Sequence, residues 1–430
     1  MPITRRQFIK RAAGAVTVGV IIPRYLTGTA GAQQLSLDAS RKLVIIQLAG
    51  GNDGLNTVVP YTDSRYHALR PILGFNENEL RTPGGESTVL NGQFGLHPSM
   101  GQLKTLYDQG KVGIVLGVGY PNPNLSHFLS MDIWHTADPT GTTRVGWLGK
   151  YADIAFVGQP GLRAAAFGTL ELPKTLNANR YVVPTIINYQ FYNFITDPAY
   201  PGDSANQLTA FNAAASRNFS GDSFLSHINT DAQESVKGVQ TVQQAIGGYS
   251  STVQYPSDNP LAGGLKMVAQ LVTTLPEAQV LYVLMSGFDH HSDQIARPGG
   301  TPDKTQGQHA VLLRWFSEAV KLFYDDMTEH GLAEQVLLMQ WSEFGRRPAE
   351  NASFGTDHGT AAPMFIIGNQ VSGGLHGQQP SLLATDLDSA GNVTSTADFR
   401  QVYAEILDRW LGVDSREVLG SSYDRIGFLS

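Results

Sequence analysis

Leu43-Val44-Ile45-Ile46-Gln47-Leu48, ended by Ala49-Gly50-Gly51-Asn52-Asp53-Gly54, decides the fold class. A short, continuous apolar run rich in β-branched residues and stopped by glycines describes a strand buried on both faces, the setting of a parallel sheet. Four runs of the same kind follow at Val112 to Val118, Val280 to Met285, Val336 to Gln340 and Pro363 to Ile367. Helical spacing separates the later ones. Val311, Leu312, Trp315, Phe316, Ala319 and Phe323 line one face of a helix expected from His309 to His330, closed by Gly331. A second amphipathic helix is expected from Ala397 to Leu411. Strand alternating with helix predicts an α/β fold, a doubly wound, mostly parallel sheet with helices on both faces.

Residues 199–255 break this pattern. They are polar and rich in Ala, Ser, Asn and Gln, with one long helix expected from Gly221 to Ile246. They read equally as a helical insertion over the sheet or as a crossover connection. Ser250 to Pro260 reads as a loop, and no internal repeat is visible.

The amino terminus reads as an export signal. Arg5-Arg6 precedes an apolar run from Ala12 to Ile22 and a small-x-small site at Ala30-Gly31-Ala32. That run is too short to span a bilayer, and an arginine pair ahead of it is what the twin-arginine translocase reads. Residues 1–32 are therefore expected to be removed, leaving a periplasmic or otherwise exported chain from Gln33 with no membrane span. The signal carries five Lys/Arg and no acid, so its loss takes the net charge from −7 to −12. Such acidity argues against nucleic acid and anionic membrane surfaces as partners. The chain has no cysteine, which excludes disulfides, thiolate catalysis and Cys-based metal sites.

Ligands of an open α/β sheet bind beyond the carboxyl ends of its strands. Asp53 follows the first run, Asp289 and His291 the third, Glu343 the fourth, and Asp357-His358 precede the fifth. Carboxylates with imidazoles suit zinc, manganese or another divalent ion. Taken singly, each has a structural reading: Asp53 as a turn residue, Glu343 as a partner of Arg346 or Arg347, Asp357 as a cap. Ser126 opens a helix and is either its N-cap or, at a helix amino terminus beside a metal, a nucleophile. His127 is either support for the site or packing. His97, His135, His309 and His376 are expected to be solvated or core residues.

Five motifs now stand in order: Gly50-Gly51-Asn52-Asp53-Gly54-Leu55-Asn56, Ser126-His127-Phe128, Gly287-Phe288-Asp289-His290-His291, Ser342-Glu343-Phe344-Gly345-Arg346 and Gly355-Thr356-Asp357-His358-Gly359. Together the set resembles domain-of-unknown-function family 1501, which looks like a remote branch of the alkaline phosphatase and sulfatase superfamily. The resemblance implies one or two divalent ions: Asp53, Ser126 and Glu343 would serve the first, and Asp289, His291 and His358 the second, with Asp357 beside them. It implies Ser126 as nucleophile, and Asn52, Asn56, His127 and Arg346 against the substrate. The sequence departs from the pattern at Glu343-Phe344, where an Asp-His pair is expected, and in the short spacing from Asp289 to its histidine.

Two functions follow from that resemblance. One is an exported, metal-dependent hydrolase of phosphate or sulfate esters. The other is a catalytically degraded member that binds a small anionic ester, a carbohydrate or a protein in the same cleft.

Overall fold

A computed structural model describes residues 40–186, 197, 199–217 and 223–429. The export signal expected at 1–32 lies outside the described residues, as do Gly221 and Asp222 at the head of the long polar helix. The chain divides into two compact units, residues 1–34 with 189–244, and residues 35–188 with 245–430.

The smaller unit contributes helix Ser204–Ala215 and most of helix Ser223–Gly248. Within it, Gln233 donates its side-chain amide to the Ala215 carbonyl (2.7 Å). Residues 245–255, expected with this polar region, belong to the larger unit. There Tyr249 and Tyr255 both donate to the buried Asp326 carboxylate (2.6 and 2.7 Å).

The larger unit is built on a nine-stranded sheet. Its strands are β1 Lys42–Ala49, β2 Val112–Gly119, β3 Ala164–Phe167, β4 Thr185–Ile186, β5 Val280–Ser286, β6 Val336–Trp341, β9 Ala362–Ile367, β10 Gly374–His376 and β11 Ala397–Asp398; a separate hairpin pairs β7 Arg346–Glu350 with β8 Thr356–His358. The order is β10-β2-β9-β6-β1-β5-β3-β4, with β11 also on β2. All neighbours are parallel except β9, which runs antiparallel to both β2 and β6.

The apolar runs become strands because both faces of the sheet are covered. Leu43 and Ile45 of β1, Tyr282 of β5, and Met339 and Trp341 of β6 share one core cluster with Trp134, Trp147 and Tyr403. Those last three lie on helices α1 His127–Thr136, α2 Trp147–Ala155 and α7 Phe399–Glu405. The alternate residues Val44, Ile46 and Val283 are equally buried on the other face. There α5 Pro260–Thr274 packs on β5 and against α6 Gln308–Glu329. The approach of α5 is close enough that a Cβ on Gly264 would stand 2.6 Å from Val283. This is the doubly wound arrangement that continuous apolar strands require. The helix expected from Ala397 to Leu411 is α-helical to Glu405 and π-helical over Ile406–Leu411.

The reversed strand determines where the site forms. Residues that leave parallel strands β1, β5 and β6 emerge at the sheet's carboxyl edge. Because β9 runs the other way, the residues that enter it, Asp357 and His358, lie at that same edge.

Candidate metal centre

Two glycines bring the rim segments together. Gly50 has φ +121°, and a Cβ there would sit 2.4 Å from the Asp289 nitrogen; Gly51 has φ +76°, and its Cβ would enter the Phe344 ring. Only a residue without a side chain permits both the left-handed backbone and the contact. The turn after β1 therefore seats directly against the ends of β5 and β6.

Asp289 is the hub, with its carboxylate about half exposed. Its Oδ1 lies 2.6 Å from Nη2 of Arg346, 3.1 Å from Nε2 of His358 and 3.1 Å from Nε2 of His291. Its Oδ2 lies 3.4 Å from Nε2 of His127. Burial would raise its pKa, but the hydrogen bond and the charge of Arg346 outweigh that and hold it at about 2. The hub is therefore an anion at neutral pH.

Each imidazole is anchored through Nδ1. His127 Nδ1 donates to Oε1 of Glu343 (2.8 Å), His358 Nδ1 to the Leu125 carbonyl (2.8 Å), and His291 Nδ1 faces Oδ1 of Asp357 (3.3 Å). A carbonyl or carboxylate can only accept, so Nδ1 carries the proton and Nε2 of a neutral ring keeps its lone pair. All three lone pairs then point toward Asp289. The ligand atoms of His127, Asp289 and His358 lie within 4.8 Å of one another. Nε2 of His291 and Nε2 of His358 are only 2.9 Å apart. Two lone pairs at that distance repel unless a cation or a shared proton lies between them. Two nitrogens on one tetrahedral zinc would stand roughly 3.3 Å apart. The donor set fits a divalent ion, and its outer shell of carboxylate and carbonyl acceptors is the one metal-bound histidines use.

The remaining predicted residues divide clearly. Glu343 is wholly buried, and its Oε1 also accepts from the Gly50 N–H (2.8 Å), so it stands behind His127. Its hydrogen bond lifts the His127 pKa against the opposing effect of burial. For His358 burial dominates and lowers the pKa. Ser126 occupies the N-cap of α1, yet its hydroxyl makes no capping bond; Asn124 Oδ1 meets its N–H instead (2.8 Å). Phe344 packs against both His127 and His358, with ring centroids 4.8 and 4.6 Å away.

Arg346 is buried and gives its N–H groups to the carbonyls of Gly50, Gly51, Phe288 and Thr356 and to Asp289. Asp53 is buried apart from this cluster, accepting from Arg70 (2.7 Å) and Gln294 (2.6 Å). Asn52 bonds Thr57 and His309, and Asn56 bonds Leu73, Tyr66 and Arg70. The structure thus gathers His127, Asp289, His291, Glu343, Arg346, Asp357 and His358, and sets Asn52, Asp53 and Asn56 in a buried polar network. Arg70, Gln294 and the Leu125 carbonyl had no sequence signal.

Glu343→Gln is expected to free the His127 ring. Loss of the anionic acceptor should turn the single Nδ1–H tautomer into a mixture, read from the ring ¹⁵N shifts. Unchanged shifts would show that Glu343 does not set the tautomer.

A reversed-strand α/β sheet carrying an imidazole–carboxylate cluster on its carboxyl rim defines the class. Residues 208–421 match the family described as "Protein of unknown function (DUF1501)", and the chain belongs to that family. No curated protein matches the sequence. Similar solved structures include the zinc complex of the C-terminal periplasmic domain of EcEptC from Escherichia coli (8% identity, 77% of this chain and 74% of that one, TM-score 0.36). An alkaline phosphatase superfamily protein from Vibrio parahaemolyticus aligns at 11% identity over 92% and 77% (TM-score 0.33). The PsFucS1 sulfatase from Pseudoalteromonas sp. aligns at 11% over 91% and 72% (TM-score 0.39). Among the described residues no helix is long and apolar enough to cross a membrane.

Proposed function

We propose that the protein is an exported hydrolase of sulfate or phosphate esters that works with a single divalent ion. The observation that carries this reading is the convergence of three Nδ1-anchored imidazoles on the Asp289 carboxylate. Asp289, His291 and His358 would hold the ion. When bound it would supply Lewis-acid polarisation of the ester oxygen. A second ion is disfavoured, because Asp53 is paired with Arg70 and Glu343 with His127. Export rests on the Arg5-Arg6 signal, through the twin-arginine translocase.

The chain's own side chains divide the remaining work. Arg346 fixes the carboxylate of Asp289 and the turn after β1. His127, oriented by Glu343, is placed to hold a proton at Nε2, which faces Oδ2 of Asp289 at 3.4 Å. The uncommitted Ser126 hydroxyl, at the amino end of α1, is the proposed nucleophile. Charge narrows the ester. Arg346 is committed to protein acceptors, while Asp289, Glu343 and Asp357 already surround the ion. Esters bearing one negative charge, sulfate monoesters or phosphodiesters, fit better than dianionic phosphate monoesters.

The test begins with metal analysis of protein purified without chelators. One equivalent of zinc or manganese is expected. Ser126→Ala should keep that metal and lose turnover of p-nitrophenyl sulfate or bis-p-nitrophenyl phosphate by at least about a hundredfold, the low end for removal of a catalytic group. A metal-loaded wild type that cleaves neither ester would leave the binding-protein alternative.

A further inference from the structure

The two most exposed large apolar side chains among the described residues are Phe128, 84% exposed, and Leu170, 80% exposed. Neither is scattered at random. Phe128 directly follows His127 in the first turn of α1. Leu170 lies in the segment that leaves β3, which runs parallel to β5 and so ends at the same edge of the sheet as Asp289. The two segments are tied together one helical turn below. Asp132, four residues after Phe128 and on the same face of α1, accepts from Nζ of Lys174 (2.7 Å), four residues after Leu170. Leu129, half exposed, widens the apolar surface.

Single exposed apolar residues need no explanation, but two of this exposure on one rim beside a donor cluster do. The wall that carries them also builds the centre. The Leu125 carbonyl anchors His358, and His127, the residue before Phe128, completes the ring of imidazoles around Asp289. Asn124 and Ser126, an amide and a hydroxyl, precede Phe128 in the same segment. An exposed, flat aromatic face suits a ring that offers one C–H or aryl face.

We infer that Phe128, with Leu170 on the same rim, is the platform for the non-reacting part of the ester, and that this part is an uncharged ring. The inference rests on the proposed function and specifies its substrate. An aryl group and the C–H face of a pyranose offer the same chemistry to the platform.

Three probes with one head group separate the possibilities: methyl sulfate, phenyl sulfate and galactose 6-sulfate, titrated calorimetrically into the full mature chain with and without its metal. Phenyl sulfate or galactose 6-sulfate should bind about tenfold more tightly than methyl sulfate, the scale of burying one ring face. Whichever ring wins identifies the source. Phe128→Ala should erase that ratio and leave methyl sulfate unchanged, Phe128→Trp should keep it, and Leu170→Ser should reduce it. These exposed positions should tolerate substitution with little change in stability. The inference is overturned if the three probes bind equally, if none binds, or if Phe128→Ala preserves the ratio. Absence of metal in the wild type would instead count against the proposed function, and the ring ratio read without metal still decides the platform.

Discussion

Replacing His358 with alanine is expected to abolish stoichiometric metal binding and, with it, the metal's stabilisation of the fold. Nε2 of His358 lies close to both other proposed ligands, 2.9 Å from Nε2 of His291 and 3.1 Å from Oδ1 of Asp289. Without it the set falls to one carboxylate and one imidazole. A ligand that binds only the native state contributes roughly 3–4 kcal/mol at a hundred to a thousand times its Kd. For a unit of this size that corresponds to a rise in Tm of about 4–6 °C. Wild type should show that rise when zinc or manganese is added, and His358→Ala should not. In chelator the two should melt within a few degrees, since the substitution also removes the bond to the Leu125 carbonyl, about 1 kcal/mol net. A variant that keeps one equivalent of metal would remove His358 from the ligand set. A wild type that binds no divalent ion between mildly acidic and basic pH would end the metal reading itself.

His358 also shows what could be read from sequence and what could not. The five apolar runs appear as strands within a residue or two of their expected limits, because burial on both faces leaves a contiguous signal. Direction leaves none. Nothing in Pro363 to Ile367 says that this strand runs against its neighbours, yet that reversal brings His358 to the rim beside Asp289. Ala164–Phe167 was invisible for another reason: three alanines carry no β-branched signature, and the strand is short. In the site, residue types were legible and partners were not. Glu343 was expected on an ion, and its carboxylate instead accepts from His127 and Gly50. Arg346 was expected to meet substrate, and it is occupied by backbone carbonyls. Both arrangements depend on contacts across hundreds of residues, which local pattern does not encode.

Arg70 carries the largest expected effect on stability. Its side chain is completely buried beside an almost completely buried Asp53. It donates from Nη1 to Asp53 (2.7 Å) and Asn56 (2.7 Å), from Nε to the Pro348 carbonyl (2.8 Å) and from Nη2 to that of Arg347 (2.9 Å). One guanidinium thus ties the turn after β1 to β7. Arg70→Met should cost about 3–5 kcal/mol at neutral pH, because it strands a buried carboxylate without its countercharge. The pH dependence separates this cause from a packing defect. Burial alone would raise the Asp53 pKa, but Arg70 outweighs it and lowers the group from 3.8 to about 2. A depressed carboxyl pKa stabilises the fold fully above 3.8, and that contribution, of order 2 kcal/mol, is lost as the pH falls toward 2. In Arg70→Met the sign reverses. Asp53 would then be raised by burial, so protonation helps the variant, and the gap between variant and wild type should narrow as the pH is lowered through 4. Urea unfolding at pH 7 and pH 3 measures that gap; an equal deficit at both would assign the loss to packing. Asp53→Asn in the Arg70→Met background should recover much of the stability by removing the stranded charge. The same Asp53→Asn change in the wild type should leave the metal content at one equivalent, since the Asp53 carboxylate faces Arg70 and Gln294; loss of the metal would return Asp53 to the ligand set.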